Sequence, residues 1–445
     1  MSRADSLSLF TIHMKRAPVH DDDDAVTKKG KVLTKPPPIL LDELIEEILL
    51  RIPATSLLRL RNSICTSWRT LISSSQFTND HRRHLMALDA DRALTHTRIA
   101  YYGSVKSYPT IGVFSLRSVF KSPPHHESTQ VVTYEGRHYR VIIGSCNGLL
   151  CLLDEDCDGD GFLRHRAAML WNPCTGLTSP PLEIGGAFMV CGFGYDHVND
   201  KYKLFGIVEK KHCESVTRIF TFGPNSSWRT MQYFPHRPGD RNNRAFLVGY
   251  VGLFVSGTAT LNWLLYGHYR SNVVSVISLD LVNETYTQFS LPSRDSDDNP
   301  DVYPELCILR GCLAVSYETK RTNWTLWLMK EYGVPQSWTK LAIIPHHRSL
   351  FGPPSSIALR PIHMLKNDVL LAIAPGGKFV LLNLNDGSIH FPKFDSSSDG
   401  MSRYRPLSQH KEARVFHLYH ETLVSPSHFG LPTCSSEMRL IKPTL

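Results

Sequence analysis

Residues 138–181 read HYRVIIGSCNGLLCLLDEDCDGDGFLRHRAAMLWNPCTGLTSPP. Two short strand candidates, His138-Tyr139-Arg140-Val141-Ile142-Ile143 and Leu149-Leu150-Cys151-Leu152-Leu153, flank Gly144-Ser145-Cys146-Asn147-Gly148. Asn-Gly favours the positive φ angles of a tight hairpin, so the pair predicts two antiparallel strands. Ala168-Met169-Leu170-Trp171 follows, then the turn Asn172-Pro173-Cys174-Thr175-Gly176, then Pro180-Pro181. An apolar strand thus leads through a polar turn to a shorter strand that runs out at proline.

That succession recurs down the chain. Ile219-Phe220-Thr221-Phe222 leads through Trp228 to Pro235, and Val276-Ile277-Ser278-Leu279-Asp280 leads through Tyr286 and Phe289 to Pro292. Leu326-Trp327-Leu328-Met329 leads through Trp338 to Pro345, and Leu381-Leu382-Asn383-Leu384-Asn385 through Ile389 to Pro392. A period of roughly fifty residues with about four short strands per unit is the pattern of propeller blades. One blade leaves both faces bare, whereas a closed ring lets neighbours cover each other. Five prolines mark five units; Ile111–Leu116 supplies a sixth, and Val415-Phe416-His417-Leu418 is placed to close the ring beside the N-terminal strands. The fold expected is mostly β, a propeller of about six blades over residues 100–430. A pair of β-sandwiches or an irregular all-β domain is the alternative.

Ahead of this lies a stretch of different period. In Pro38–Phe77, residues Leu41, Leu44, Ile45, Ile48, Leu49 and Ile52 recur at three and four residues, one face of a helix. Asp42, Glu43, Glu46 and Glu47 take the other face, and Pro53, which has no amide donor, ends the helix. A second helix is expected near Ser56 and a third over about Cys65–Ser73, carrying Trp68. Three helices in residues 36–80 form a unit too small to be stable alone, so it must pack on something. It either caps the large domain or docks on another protein. Residues 1–35 read as a disordered tail and 81–99 as a linker with a short helix over Thr78–Arg83.

Leu44–Pro53, Ser56-Leu57-Leu58-Arg59 and Ser67-Trp68-Arg69-Thr70-Leu71-Ile72 together resemble the F-box of plant F-box proteins, which binds the Skp-type adaptor of a cullin-RING ubiquitin ligase. The chain has Leu40-Leu41 where the family has Leu-Pro, and one residue more between Arg59 and Trp68. The β region also resembles a known domain. Gly144–Cys151, Leu170–Pro173 with Thr175, Gly192-Phe193-Gly194-Tyr195-Asp196 with Asp200–Lys203, and Trp327–Gly333 with Ser337-Trp338 look like the F-box-associated, kelch-like domain of the same proteins.

The resemblance implies a non-catalytic, cofactor-free substrate receptor of an SCF-type ligase. Leu44, Ile48, Leu49, Ile52, Pro53, Leu57 and Trp68 would form or support the adaptor-binding face. A cullin scaffold would join through the adaptor, and a target protein would sit on the β domain. The other readings are a plain interaction adaptor with a degenerate F-box, and an enzyme on a propeller with convergent acids or histidines at its axis.

Composition narrows the classes. The formal charge is +8, but beyond Lys28–Lys31 and Arg82-Arg83 the basic residues are dispersed, without the convergent patch that nucleic acid requires. No apolar run reaches membrane length, and the N-terminus has no continuous apolar core of a secretory signal. Ten cysteines without paired spacing read as free thiols of a reducing compartment, the cytoplasm or nucleus. No nucleotide-binding fingerprint or H-E-x-x-H occurs, and His125-His126 and His346-His347 would point to opposite faces of a strand. Cys146 on its tight turn is the one tempting nucleophile, with no histidine singled out as its base. Trp171, Trp228, Trp263, Trp327 and Trp338 are expected in blade cores. Polar loops around Arg237–Arg244, Ser293–Asp301 and His347–Ser356 are the candidate binding rim.

Overall fold

The computed structural model describes residues 42–441 apart from 64, 89, 106–107, 121–129, 135–138, 158–162, 210–213, 233, 236–244, 268–273, 294–302, 320–321, 347–358, 375–378, 393–415 and 436–437. The chain divides into two compact units, 1–45 and 46–445. Of the first, only the opening residues of helix α1 are described.

The helices come first: α1 (Asp42–Leu50), α2 (Ala54–Ser63), α3 (Thr66–Ser73) and α4 (Ser75–Met86). Pro53 does stop α1, and it also starts the next helix, because its carbonyl accepts from the amides of Ser56 and Leu57, each at 2.9 Å. Hence α2 begins at Ala54, two residues before the Ser56 start expected from capping propensity. Helix α2 ends at Ser63 and α3 begins at Thr66, so Arg59 and Trp68 lie on different helices. Ser74 caps α4 by accepting from the Phe77 amide at 3.1 Å. This helix passes residue 80 and occupies the first part of the expected linker. The short α5 (Ala90–Ala93) follows it.

The β region begins with β1 (Thr97–Val105), β2 (Tyr108–Ser115), the short helix α6 (Leu116–Val119) and β3 (Gln130–Tyr134). Next are β4 (Tyr139–Cys146), β5 (Leu149–Cys157), β6 (Leu163–Trp171) and β7 (Leu177–Thr178), then β8 (Leu182–Asp196), β9 (Lys201–Glu209), β10 (Ser215–Thr221) and β11 (Trp228–Thr230). A further set is β12 (Ala245–Val255), β13 (Thr260–Gly267), β14 (Val274–Asp280) and β15 (Tyr286–Ser290). Then come β16 (Glu305–Leu309), β17 (Cys312–Thr319), β18 (Asn323–Met329) and β19 (Trp338–Pro345), and after them β20 (Arg360–Met364), β21 (Val369–Ile373), β22 (Phe379–Asn383) and β23 (Ile389–His390). The last strands are β24 (Phe416–His420), β25 (Cys434–Ser435) and β26 (Met438–Ile441).

Pairing makes these strands six four-stranded antiparallel blades among the described residues: β24-β1-β2-β3, β4-β5-β6-β7, β8 to β11, β12 to β15, β16 to β19 and β20 to β23. The C-terminal strand β24 lies inside β1, with Leu418 opposite Ile99, so one blade is built from both ends of the ring. Outside it, β26 pairs with β3, and β25 pairs with β7 of the next blade. β-Structure therefore runs from Thr97 to Ile441, past the 100–430 bounds read from sequence, because the closing strands lie outside the repeat.

Packing follows the expected logic. The first and second blades share Ala100, Val113, Leu150, Leu152 and Trp171, and the second and third share Leu153, Leu170, Phe188 and Val208. Phe205, Trp263 and Ile277 join the third to the fourth; Leu264, Val276, Val315 and Tyr317 join the fourth to the fifth. Leu326, Leu370 and Val380 join the fifth to the sixth. The sixth returns to the first through Leu371, Ile373 and Phe379 against Ile99, Tyr101 and Phe114. Both faces of every blade are covered, which is where the apolar burial of the ring comes from.

Local chemistry repeats with the blades. Asn147 and Gly148 have φ of 50° and 83°, the expected Asn-Gly hairpin between β4 and β5. A Cβ on Gly148 would stand 2.1 Å from Thr422 Oγ1, so close approach of the closing segment also requires glycine there. The turns after β6, β14 and β22 share one geometry. The amides of Asn172, Asp280 and Asn383 each donate to the carbonyl five residues on, at 2.9–3.0 Å. Their side-chain oxygens accept from Cys174, Val282 and Asn385 at 2.7, 2.7 and 3.0 Å. Trp228 and Trp338 each open a fourth strand and donate through Nε1 to a carbonyl. Trp228 reaches Glu183, at the start of β8 where that strand pairs with β6 of the second blade. Trp338 reaches Ser290 at the end of β15 in the preceding blade. The five tryptophans expected in blade cores all pack in these clusters.

Candidate functional site

The residues assigned to the adaptor face separate into two groups. Leu49 and Leu57 are fully buried, so they hold the helices together. Ile48 is 49% exposed and Leu44 51%, while Ile52, Pro53 and Trp68 are half-buried. The surface available for contact is therefore narrower than the sequence list. His81 of α4 donates from Nε2 to the Ile52 carbonyl at 2.9 Å, satisfying an acceptor at the end of α1. Burial holds its pKa below the ordinary range, so the ring is neutral and the Nε2–H tautomer is fixed.

A second group, which sequence reasoning missed, lies where the helices meet the ring. Thr55 of α2 donates to Glu421 Oε2 at 3.2 Å, and Arg98 of β1 donates to Glu421 Oε1 at 2.7 Å. The guanidinium of Arg82, in α4, stands 5.1 Å from the centroid of Tyr195 at the end of β8, and the Tyr195 hydroxyl bonds Asp200. The Glu421 amide donates to His96 O at 2.8 Å. Thr97 Oγ1 gives its single proton to Ala93 O at 2.7 Å, so His420 Nδ1, 3.0 Å from the same oxygen, must be the donor. The only traces of this group in the sequence are the Arg82-Arg83 pair and the Tyr195–Lys203 block.

Between the third and fourth blades, Lys203 Nζ is buried 2.9 Å from Asp196, 3.1 Å from Glu284 and 2.5 Å from the Leu281 carbonyl. Burial raises the pKa of Asp196, but Asn199 and Lys203 outweigh it and hold the carboxylate below its usual value. The lock is structural: every member has its partners.

Cys146 is buried, and burial pushes its thiol well up, so it stays protonated and packs as an apolar group. Among the described residues, no three His, Cys, Asp or Glu side chains gather at metal-binding distance. No described helix is long and apolar enough to cross a membrane. The loops proposed as a binding rim lie outside the described residues, save Ser293.

Residues 104–359 match the F-box associated beta propeller domain family. The chain belongs to that family. The match ends at residue 359, before β20 to β23 of the sixth blade and the closing strands β24 to β26. The chain is 28% identical to the F-box/kelch-repeat protein At3g23880 of Arabidopsis thaliana over 86% of this chain and 95% of that one. It is 24% identical to the F-box protein CPR1 of the same plant, over 82% and 83%. The F-box protein At4g22390, also from Arabidopsis, is 25% identical over 78% and 84%. These alignments take in more of the chain than the propeller match alone. The chain is a plant F-box protein with an F-box-associated interaction domain.

Proposed function

We propose that this F-box protein is the target-recruiting subunit of a Skp–cullin–F-box ubiquitin ligase, with no chemistry of its own. The helices would engage a Skp-type adaptor, and through it a cullin scaffold, while the propeller holds a target protein. Ubiquitin transfer then gains from proximity, an encounter between two proteins becoming a near-intramolecular step.

The observation that carries the reading is Ile48. It is a large aliphatic side chain half in water, on a helix whose own interior is filled by Leu49. Such an outward aliphatic side chain on the helical module is a surface that the adaptor would cover. Co-expression with a Skp-type adaptor, followed by size-exclusion chromatography, tests it. Wild type should elute as a one-to-one complex, and Ile48→Asp should weaken adaptor binding by about ten-fold or more while the ring stays folded. No complex from a folded wild-type chain would instead leave a propeller interaction protein with a degenerate F-box.

A further inference from the structure

Two outer edges of the ring already carry an added strand. β26 pairs antiparallel with β3, and β25 with β7, so the C-terminal stretch of the chain lies along the outside of the first and second blades. The outer strands of the other four blades are β11, β15, β19 and β23, and no described strand lies beyond any of them. β19 is the longest, eight residues against three, five and two. It also holds Ile343, which is 56% exposed. Among the described residues of the ring, this is the one exposed large apolar side chain that lies on a strand.

The backbone at this edge is turned outward. The His346 amide donates to the Thr322 carbonyl at 2.7 Å, which makes Asn323 and Pro345 a non-hydrogen-bonded pair. Two residues back, Ile343 opposite Thr325 has the same phase, so its amide and carbonyl point away from β18. A lysine on such an edge commonly guards it. Here Lys340 stands opposite Trp327, and its ammonium lies 5.1 Å from the centre of that ring, on the face of the blade and not across the edge. Ile343, Lys340 and Trp338 lie opposite Thr325, Trp327 and Met329, so the three share one face. A bulge at Leu341 bends the edge and Pro345 ends it, so the edge suits one short segment and not a growing sheet.

We propose that the outer edge of β19 is a strand-addition site for an extended segment of the recruited target. The segment pairs antiparallel with β19, as β25 and β26 do with their own edges. On one face it carries an aliphatic residue against Ile343 and an acidic residue toward Lys340. Backbone hydrogen bonds hold it and those two side chains select it. A second copy of this chain fits less well, because its β19 has no acidic residue to set against Lys340. That the segment belongs to a recruited target rests on the ligase reading above; the strand addition stands without it.

The test uses the acetylated and amidated peptide TTVTETT, labelled with fluorescein and titrated with the full chain. Anisotropy should show saturable binding, and amide hydrogen exchange should slow over Trp338–Pro345. N-methylation of the peptide's valine and glutamate, whose amides would face β19, should weaken binding about ten-fold or more. Ile343→Asp and Lys340→Glu should each do the same with an unchanged melting curve. No binding, or equal binding of the N-methylated peptide, would overturn strand addition. Equal binding by Ile343→Asp would overturn its placement on β19. A wild-type dimer that Ile343→Asp dissolves would put a second copy on the edge and overturn the target segment. Should the peptide bind as expected while wild type forms no adaptor complex, the ligase reading falls and the strand-addition site remains. If Ile343→Asp does not fold, Ile343→Thr is measured by the same criterion.

Discussion

The helices between Asp42 and Met86 and the ring that begins at Thr97 both have apolar faces to cover, and they cover them differently. In the ring each blade is covered on both sides by its neighbours, and the sixth blade returns to the first. Among the described residues seven large apolar side chains are exposed, and three of them, Leu44, Ile48 and Met86, belong to the helices. That share is high for so short a segment, whereas the ring covers its own blades. The difference separates two kinds of apolar residue that look alike in sequence: those buried inside the protein and those left in water.

The largest effect should come from opening the ring. Deleting residues 416–445 removes β24, β25 and β26, exposes the apolar faces of the first and sixth blades and abolishes cooperative thermal unfolding by circular dichroism. A ring that still melted sharply would mean that closure is not what completes it. Next, Lys203→Met strands the fully buried Asp196 without its cation, while Glu284 keeps Arg229. The cost should be about 3–5 kcal/mol in a denaturant titration, since breaking one partner of a buried pair strands the other charge.

Within the helices, Leu49→Ala should cost about 2–4 kcal/mol by leaving a cavity. Ile48→Ala, one residue earlier, should change stability by less than about 0.5 kcal/mol. Equal losses would erase the distinction between interior and contact residues.

The junction between the two regions should respond to acid. Burial depresses His96 to about 4, helped by the nearby His81, His420, His84 and Arg98, and depresses His420 to about 4, helped by His363. In the unfolded chain both titrate near the ordinary value of about 6.5, so the unfolded state binds more protons between those limits. Stability is therefore greatest above about pH 6.5 and falls as pH drops toward about 4, below which these two groups add no further loss. His96→Gln should flatten that slope in melts recorded from pH 7 to 4. The smallest effect belongs to the exposed pair of Arg310 and Asp368: Arg310→Ala should cost at most about 1 kcal/mol.

Much of this was legible residue by residue. Pro53 ends the first helix because it lacks a donor wherever it is placed, and Asn147-Gly148 forms its hairpin because few other pairs tolerate two positive φ angles. Pro180, Pro292, Pro345 and Pro392 close or follow fourth strands, since an outer edge tolerates the missing amide. The six-residue turns at Asn172, Asp280 and Asn383 were present as a weaker repeat, and they share an Asx geometry that the sequence displays only once the blades are aligned. Ser56 misled because capping propensity ranks side chains, whereas here the carbonyl of Pro53 does the work.

Strand period, turn residues and helix stops are properties of a few neighbouring side chains, so composition and spacing were enough to point to a helical module followed by a ring of blades, with a pair of β-sandwiches as the alternative. The face on which the module sits, the buried Lys203 lock and the split between Ile48 and Leu49 could not be read that way. Thr55 meets Glu421 across 366 residues and Lys203 meets Glu284 across 81, distances along the chain at which no local pattern specifies a partner. Which apolar residue is buried depends on which surfaces have met, and that is settled only when the chain has closed on itself.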